Sequence, residues 1–198
     1  MDDKQRYSQW ESGEGYHRYI TEELMSFRKE AWKKQILRHL NGRTGLEVLD
    51  VGTGPGFFAC ILAEEGMKVT GMDQSAGMLE KARENAERLG VNPSFVQMNV
   101  NSLDFADETF DLVISRNVTW TLQYPERTYS EFRRILKPDG MLLIYDANWH
   151  AHFYDEELMK KVRAREEAHF RKYGTREIVS EDDMDFLSYD PLSPTGMG

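Results

Sequence analysis

The chain has 198 residues, of which 40% are hydrophobic and 30% are charged, a composition typical of one soluble globular domain. Its formal net charge of −9 disfavours nucleic acid as a partner, and no apolar run reaches membrane-spanning length, so we expect no membrane partner either. The N-terminus lacks the apolar region of a secretory signal, and the single cysteine, Cys60, excludes an internal disulfide, which together predict a cytoplasmic location.

Residues 1–45 are predicted to form a helical cap of the same domain. Apolar residues at helical spacing predict one helix over Thr21–Leu40. The stretch before it, Trp10–Tyr19, is rich in aromatic residues and glycine. Two interpretations stand for its Tyr16 and Tyr19: the rings contact a ligand, or they only cover the sheet.

An apolar strand ending at Val51 runs directly into a glycine-rich turn that precedes a helix. Three glycines lie within five residues: Gly52, Gly54 and Gly56. Such a turn lets a ligand approach the backbone, and the following helix directs its free N–H groups at that ligand. The dinucleotide fingerprint would need glycine in place of Phe57, so the spacing disfavours a nicotinamide cofactor. Asp50, at the strand end, favours a cofactor with a positive group over a pyrophosphate.

Strands and helices alternate along the rest of the chain. A strand over Met67–Met72 precedes Asp73, an acid near the spacing at which α/β folds bind a ribose diol. Ser75 is predicted to cap the next helix, which Gly90 ends. The later elements are predicted as strands Ser94–Met98, Phe110–Ser115 and Met141–Tyr145, and a helix from Pro125 to a turn at Leu136–Gly140. This order predicts a parallel sheet with helices on both faces.

Four segments carry a resemblance to a known family, in the family's order: VLDVGTGPGFFACILAEEG, VTGMDQSAGMLEKAREN, FVQMNVNSLDFADETFDLVISRNVTW and FRRILKPDGMLLIYD. They resemble the glycine loop, ribose segment, adenine and substrate-edge segment, and fifth-strand region of class I S-adenosylmethionine (SAM)-dependent methyltransferases. The resemblance implies an α/β, Rossmann-like and mostly parallel sheet, with a SAM-binding core over residues 46–150.

The resemblance also implies which residues bind the cofactor. In the glycine loop these are Asp50, Gly52, Thr53, Gly54 and Gly56. Asp73 would bind the ribose, while Gln74 and Met78 would flank the adenine. The remaining expected contacts are Asn99, Val100, Asn101, Arg116, Tyr16 and Tyr19. Two alternatives stay open: Asp50 only caps the next helix, and the stretch 99–101 is a solvated loop.

The sequence departs from the family pattern at two places. Asn101 stands where the family often has an acid, although its amide oxygen can still accept from the adenine amino group. After the fourth strand, Arg116 and Asn117 replace the Asn-Pro-Pro-aromatic motif of amino methyltransferases that act on nucleic acids. We expect these two residues to contact cofactor or substrate, while Trp120 is either core or rim.

No residue is predicted to be catalytic. Transfer of a methyl group from a sulfonium is an in-line displacement, which chiefly requires alignment and exclusion of water. His150 and His152 are a candidate metal pair or general base, but the sequence has no matching ligand set, so we predict no metal and favour surface positions. The predicted function is methyl transfer to a small-molecule acceptor; the alternative is a truncated or inactive SAM-binding module.

The C-terminal region is shorter than the family pattern implies. The family's sheet usually has seven strands, whereas five are readable here. A charged helix is expected over Phe153–Tyr173, within 151–173. Residues 174–198, with six acids and one arginine, are expected to form a mobile tail. The fifth strand would then be an unpaired apolar edge, which predicts low solubility or a homodimer.

Overall fold

The computed structural model describes residues 14–146 and six later positions, which are Glu156, Glu157, Lys160, Ala164, Glu167 and Arg171. The chain divides after Asp146 into two units. The six described positions of the second unit are all helical. They carry two ion pairs, Glu157–Lys160 at 2.7 Å and Glu167–Arg171 at 3.3 Å. The predicted tail at 174–198 lies outside the described residues.

The described part of the first unit is an α/β sheet domain. Its elements are α1 (Glu14–Leu24), α2 (Phe27–Leu40), β1 (Glu47–Val51), α3 (Phe57–Glu64), β2 (Lys68–Asp73), α4 (Ala76–Leu89), β3 (Ser94–Gln97), β4 (Phe110–Arg116), a 3-10 turn (Thr119–Thr121), α5 (Pro125–Ile135) and β5 (Leu136–Tyr145). The five strands are parallel and lie in the order β3-β2-β1-β4-β5. The predicted Rossmann-like sheet is confirmed.

The first strand occupies the centre of the sheet. Its last residue, Val51, pairs with Met72 of β2 on one side and with Ser115 of β4 on the other. The chain order reverses here, because β2 and β3 extend the sheet one way and β4 and β5 the other. Ligands in open parallel sheets bind at such a switch point, beyond the carboxyl ends of the strands.

Both faces of the sheet are covered by helices. Alternate residues of a strand point to opposite faces. Leu49 and Val51 of β1 lie in one buried cluster with Phe132 and Ile135 of α5. Helices α1 to α4 contact one another on the other face. None of the helices in the described part of the chain is both long and apolar enough to span a membrane.

The prediction of a single N-terminal helix over Thr21–Leu40 is wrong. The structure has two helices, which meet at Met25 and Ser26. The Ser26 hydroxyl accepts the Arg28 backbone N–H at 3.2 Å and donates to the Glu23 carbonyl at 2.9 Å. A serine that bonds the backbone in this way starts a new helix rather than continuing the old one. Apolar spacing alone did not reveal the break.

The other predicted elements are present, with shifted ends. Ser75 accepts the Met78 N–H at 3.2 Å, and Gly90 ends α4 with φ of 68°. Strand β5 begins at Leu136, so the predicted turn at Leu136–Gly140 lies within an irregular part of the strand, where the register with β4 shifts. Pro138, which lies in this part of β5, is tolerated because β5 is paired on one side only within the described sheet.

Candidate functional site

The glycine loop after β1 is built from residues with left-handed backbone. Gly52, Gly54 and Gly56 have φ of 63°, 52° and 85°. Space also selects glycine at two of them. A Cβ at Gly56 would lie 3.0 Å from the Ala82 Cβ of α4, and one at Gly52 would lie 2.5 Å from a Val118 methyl. The loop is therefore pressed between α4 and the segment after β4, and side chains would push these apart.

Asp50 lies beneath the loop, 2% exposed. One carboxylate oxygen, Oδ2, accepts from the Thr53 hydroxyl at 2.6 Å and from the Ala59 N–H of α3 at 3.1 Å. Burial raises the pKa of Asp50 to about 7, against the pull of these two donors. Asp50 thus does cap α3, and it also lines the small cavity beside the loop. The two interpretations from sequence are compatible.

Asp73 links the end of β2 to the glycine loop. Its carboxylate accepts the Gly54 N–H and the Ser75 N–H, each at 2.9 Å. Burial also raises the pKa of the Asp73 carboxyl, although the backbone N–H groups of Ser75, Gly54 and Gln74 oppose the shift. The buried carboxylate of Asp50 and the partly buried carboxylate of Asp73 therefore lie at the ends of adjacent strands.

The residues expected around the adenine fall into two groups. Met78 is buried, whereas the Gln74 side chain is exposed. The turn after β3 is closed by the Asn99 side chain, whose Oδ1 accepts the Asn101 N–H at 2.8 Å. Val100 packs on the core. The Asn101 Oδ1 is buried and has no hydrogen-bond partner among the described residues. It is an acceptor for a donor that the described residues do not supply.

Helix α1 covers the glycine loop. A ring carbon of Tyr16 lies 3.5 Å from the point where a Cβ added to Gly54 would be. The Tyr16 and Tyr19 rings are stacked, with their centres 6.5 Å apart. The cavity between α1 and the loop measures about 20 Å³, room for about one water molecule. Its lining residues are Tyr16, Ile20, Asp50, Gly52, Thr53, Phe57, Phe58 and Arg116. Burial raises the pKa of Tyr16 to about 12, so its hydroxyl stays protonated.

Two sets of contacts hold α1 in this position. The Thr21 hydroxyl donates to the Asn85 Oδ1, and the Asn85 amide donates to the Pro55 carbonyl in the glycine loop, both at 2.9 Å. Near the end of α1, both oxygens of Glu23 accept from Arg116, at 2.8 and 2.9 Å. Neither Asn85 nor Glu23 was predicted from sequence. A buried position for Glu23 could have been inferred, because it lies beside the apolar Ile20 and Leu24 on one face of the helix.

Arg116 reaches the cavity from the end of β4. Its guanidinium carbon lies 4.8 Å from the centre of the Trp32 ring and 4.9 Å from that of Phe57. Burial opposes its charge, but the Glu23 carboxylate outweighs that effect and the pKa of Arg116 is raised. The sequence placed Arg116 at the site but gave no hint of its ion-pair partner.

The segment after Arg116 is fixed by the end of β5. Asp146 accepts the N–H groups of Val118 and Thr119, at 3.0 and 2.9 Å, and also the Thr119 hydroxyl. Asn117 has φ of 58°, and its carbonyl accepts the Trp120 indole N–H at 2.9 Å. Trp120 is 46% exposed, so of the two interpretations it belongs to the rim rather than the core.

Among the described residues, no group of three or more His, Cys, Asp or Glu side chains could hold a metal ion. His150 and His152 lie outside the described residues, so their predicted roles remain predictions. The described site thus consists of a glycine loop, the carboxylates of Asp50 and Asp73, an ion-paired arginine and an amide oxygen without a hydrogen-bond partner among the described residues.

Comparison with known proteins agrees with this arrangement. Residues 49–144 match the family described as "Methyltransferase domain". The chain is 30% identical to a phosphatidylethanolamine N-methyltransferase of Cereibacter sphaeroides over 85% of this chain and 84% of that protein. It is 35% identical to a ubiquinone/menaquinone biosynthesis C-methyltransferase of Pseudoalteromonas translucida, over 64% of this chain. It spans 53% of that relative's length.

A solved structure agrees as well. The crystal structure of a SAM-dependent methyltransferase from Aquifex aeolicus has a TM-score of 0.54 and 27% identity, covering 65% of this chain and 71% of that one. Family match, relatives and fold agree with the glycine loop and acids found at the carboxyl edge of the sheet. The chain belongs to the class I SAM-dependent methyltransferases, enzymes whose cofactor is S-adenosylmethionine.

Proposed function

We propose that this protein transfers the methyl group of SAM to a small-molecule acceptor, using the carboxyl edge of β1, β2 and β4 as its site. The observation that carries the proposal is the pair of carboxylates beside the glycine loop, the buried Asp50 and the partly buried Asp73. Holding two like charges close together and largely out of water is costly without a ligand that offsets the cost. A ligand with a positive group and a diol does so.

The residues of the site match the parts of the cofactor. Asp73 is suited to the ribose, because a carboxylate can accept from two adjacent hydroxyls. The unpartnered Oδ1 of Asn101 is suited to the adenine amino group. Asp50 and Arg116 offer opposite charges to the ammonium and carboxylate of the methionine end, and the small cavity that they line admits these groups when α1 moves aside. Each polar part of the ligand thus has a complementary partner on the chain.

The chemistry divides between cofactor and protein. The bound cofactor supplies a methyl group that its sulfonium has already activated. The chain's own residues hold this cofactor, align it and exclude water; Tyr16 covers the glycine loop, and Phe57 lines the cavity beside it. A general base is needed only if the acceptor loses a proton late, so we assign no catalytic residue.

The acceptor is proposed to be a small molecule rather than a nucleic acid. The two curated relatives named above are, by their names, an N-methyltransferase of phosphatidylethanolamine and a C-methyltransferase of quinone biosynthesis. A net charge of −9 also opposes binding to RNA or DNA. Salt-sensitive RNA binding at submicromolar affinity would contradict this part of the proposal.

A cytoplasmic location and a homodimer are further parts of the proposal. Cys60 is buried, and its pKa is raised to about 12, mainly by burial, so the thiol is unreactive and compatible with a reducing compartment. Strand β5 pairs only with β4 in the described sheet, and Ile144 is 37% exposed. A second copy could pair with this edge. If the protein stays monomeric on dilution and residues 141–145 still exchange hydrogen slowly, another part of the chain covers this edge. That result would contradict the dimer.

Two experiments test the activity. Calorimetric titration should show micromolar binding of SAM and S-adenosylhomocysteine, roughly −8 kcal/mol, and none of NAD. A screen of amines, phenols and quinones should then yield S-adenosylhomocysteine with at least one acceptor. Binding without turnover on any acceptor would instead favour the inactive SAM-binding module.

A further inference from the structure

We propose that Glu23 is a positioning residue that fixes the Arg116 guanidinium for the amino-acid end of the cofactor. This inference rests on the proposed function and extends it to a residue on α1 that is absent from the glycine loop and from the segments resembling the family. Glu23 lies in the described part of the cap, 93 positions before Arg116.

The first observation is how completely Glu23 is enclosed. Its side chain is 1% exposed. Both oxygens accept from Arg116, and Oε1 also accepts from the Trp32 indole N–H at 3.2 Å. A bidentate pair fixes the plane of the guanidinium as well as its position. The indole bond fixes the carboxylate in turn, so three side chains form one rigid unit.

The second observation is where the guanidinium is held. The rings of Trp32 and Phe57 lie within 5 Å of the guanidinium carbon, at 4.8 and 4.9 Å. Arginine has five N–H donors, of which Glu23 engages one on each terminal nitrogen. The side chain lines the same small cavity as Asp50. Glu23 therefore directs a cation toward the space beside the buried Asp50 carboxylate, and within the described part of the chain the other N–H groups of this guanidinium have no hydrogen-bond partner.

The third point is energetic. Enclosed ion pairs are expensive, and apolar side chains of similar size often stabilise a fold better. Here the pair lies against an aromatic cluster of Trp32, Phe57 and Phe58 that apolar residues could extend. A role in packing alone does not require the charges. A role in holding a carboxylate-binding arginine does require the charges, because without Glu23 the Arg116 guanidinium would lose its fixed orientation between the aromatic rings.

The proposal predicts a selective effect on ligands. S-Adenosylhomocysteine carries the methionine-derived amino and carboxylate groups, whereas 5′-methylthioadenosine has the same adenosine but lacks them. Glu23→Gln should weaken S-adenosylhomocysteine by about tenfold or more, the scale of a hydrogen bond to a charged group. Binding of 5′-methylthioadenosine should change by less than about twofold, because its contacts lie at Asp73 and Asn101.

Glu64→Gln is the matched control. Glu64 on α3 pairs with Lys29 at 3.0 Å and Lys33 at 3.5 Å, so its loss also removes an ion pair between α2 and α3. It does not line the cavity. This variant should leave the affinities for both ligands unchanged. If Glu23→Gln does not fold, Glu23→Asp, whose shorter side chain cannot keep both bonds to Arg116, should show the same selective loss.

Calorimetry of both ligands with each folded variant decides the matter. A loss confined to S-adenosylhomocysteine supports the positioning role. Equal weakening of both ligands overturns it, because Glu23 would then only hold α1 in place. No weakening of either ligand also overturns it, because Glu23 would then have no effect on binding. If the unmodified protein binds neither ligand, the proposed function itself fails, and the inference with it.

Discussion

Replacing Asp50 with Asn should stabilise the ligand-free protein while weakening the cofactor. In the folded protein the pKa of Asp50 is raised from its ordinary 3.8 to about 7, mainly by burial. A raised pKa means that the folded state binds this proton more tightly than the unfolded chain. The contribution of Asp50 to the free energy of unfolding is fully favourable below about pH 4 and is lost as pH rises through about 7.

The magnitude follows from that gap in pKa. At about 1.4 kcal/mol for each pH unit, the ionised carboxylate costs about 4 kcal/mol of folding free energy above pH 8. Both donors, the Thr53 hydroxyl and the Ala59 N–H, bond the same oxygen. The Oδ1 of Asn can replace that oxygen without charge. We therefore expect Asp50→Asn to gain about 2–4 kcal/mol above pH 8, the lower end allowing for weaker bonds to a neutral acceptor.

Urea unfolding of both proteins between pH 5 and 8.5 measures this difference directly. The stability gain of Asp50→Asn should grow as pH rises, while its affinity for S-adenosylhomocysteine falls, because the ammonium loses its carboxylate. Asp111→Asn provides a control of opposite sign. Asp111 pairs with Lys137 at 2.8 Å and accepts the Glu47 N–H at 2.9 Å, contacts that outweigh burial and lower the pKa of its carboxyl.

The control variant should be destabilised by a constant amount from pH 5 to 8.5, because the Asp111 contribution is lost only as pH falls below the ordinary pKa of Asp, through the still lower pKa of the folded state. A stability difference between wild type and Asp50→Asn that stays flat from pH 5 to 8.5 would refute the reasoning. So would a clear loss of stability in that variant at pH 8.5. Either result would mean that Asp50 is solvated or already compensated in the folded chain.

Three further predictions concern the other parts of the site. Asp73→Ala should weaken S-adenosylhomocysteine by about 1.5–3 kcal/mol in calorimetry; unchanged affinity with an intact fold would remove Asp73 from the site. Asn101→Ala should weaken S-adenosylhomocysteine by about two- to tenfold but spare its inosine analogue, which lacks the adenine amino group; equal losses would contradict the assignment. Thr21→Val removes the bond to Asn85 that ties α1 to the glycine loop, so stopped-flow dissociation of S-adenosylhomocysteine should accelerate about two- to tenfold. An unchanged rate would mean that α1 does not open for release.

The parts of the fold that sequence predicted are those with local causes. The glycine loop follows from three glycines in five residues, and the start and end of α4 follow from Ser75 and Gly90. The acid Asp73 stands at a strand end, where neighbouring loops meet. Each of these signals lies within a few residues of the feature that it specifies.

What sequence did not predict depends on distant contacts. The break between α1 and α2 rests on Ser26, whose hydroxyl could equally have faced solvent within one helix. Arg116 was predicted at the site, but Glu23 and Asn85 were not, because nothing near them marks which distant group they meet. The bonds of Asp146 to Val118 and Thr119 likewise join the ends of two separate strands. Such pairings are set by the assembled sheet.

The distance along the chain between Glu23 and Arg116 also has a consequence for synthesis. Helix α1 is made early, and the Trp32 indole that bonds Glu23 follows soon after, but the Arg116 guanidinium is absent until β4, 93 positions later, has left the ribosome. In the interval α1 is a short amphipathic helix, too short to be stable alone. Its docking is thus a late, non-local step, which follows formation of β1, β2 and β4. The wall of the small cavity beside the glycine loop is thus completed only after the sheet exists, so the nascent chain cannot close that space before the sheet has formed.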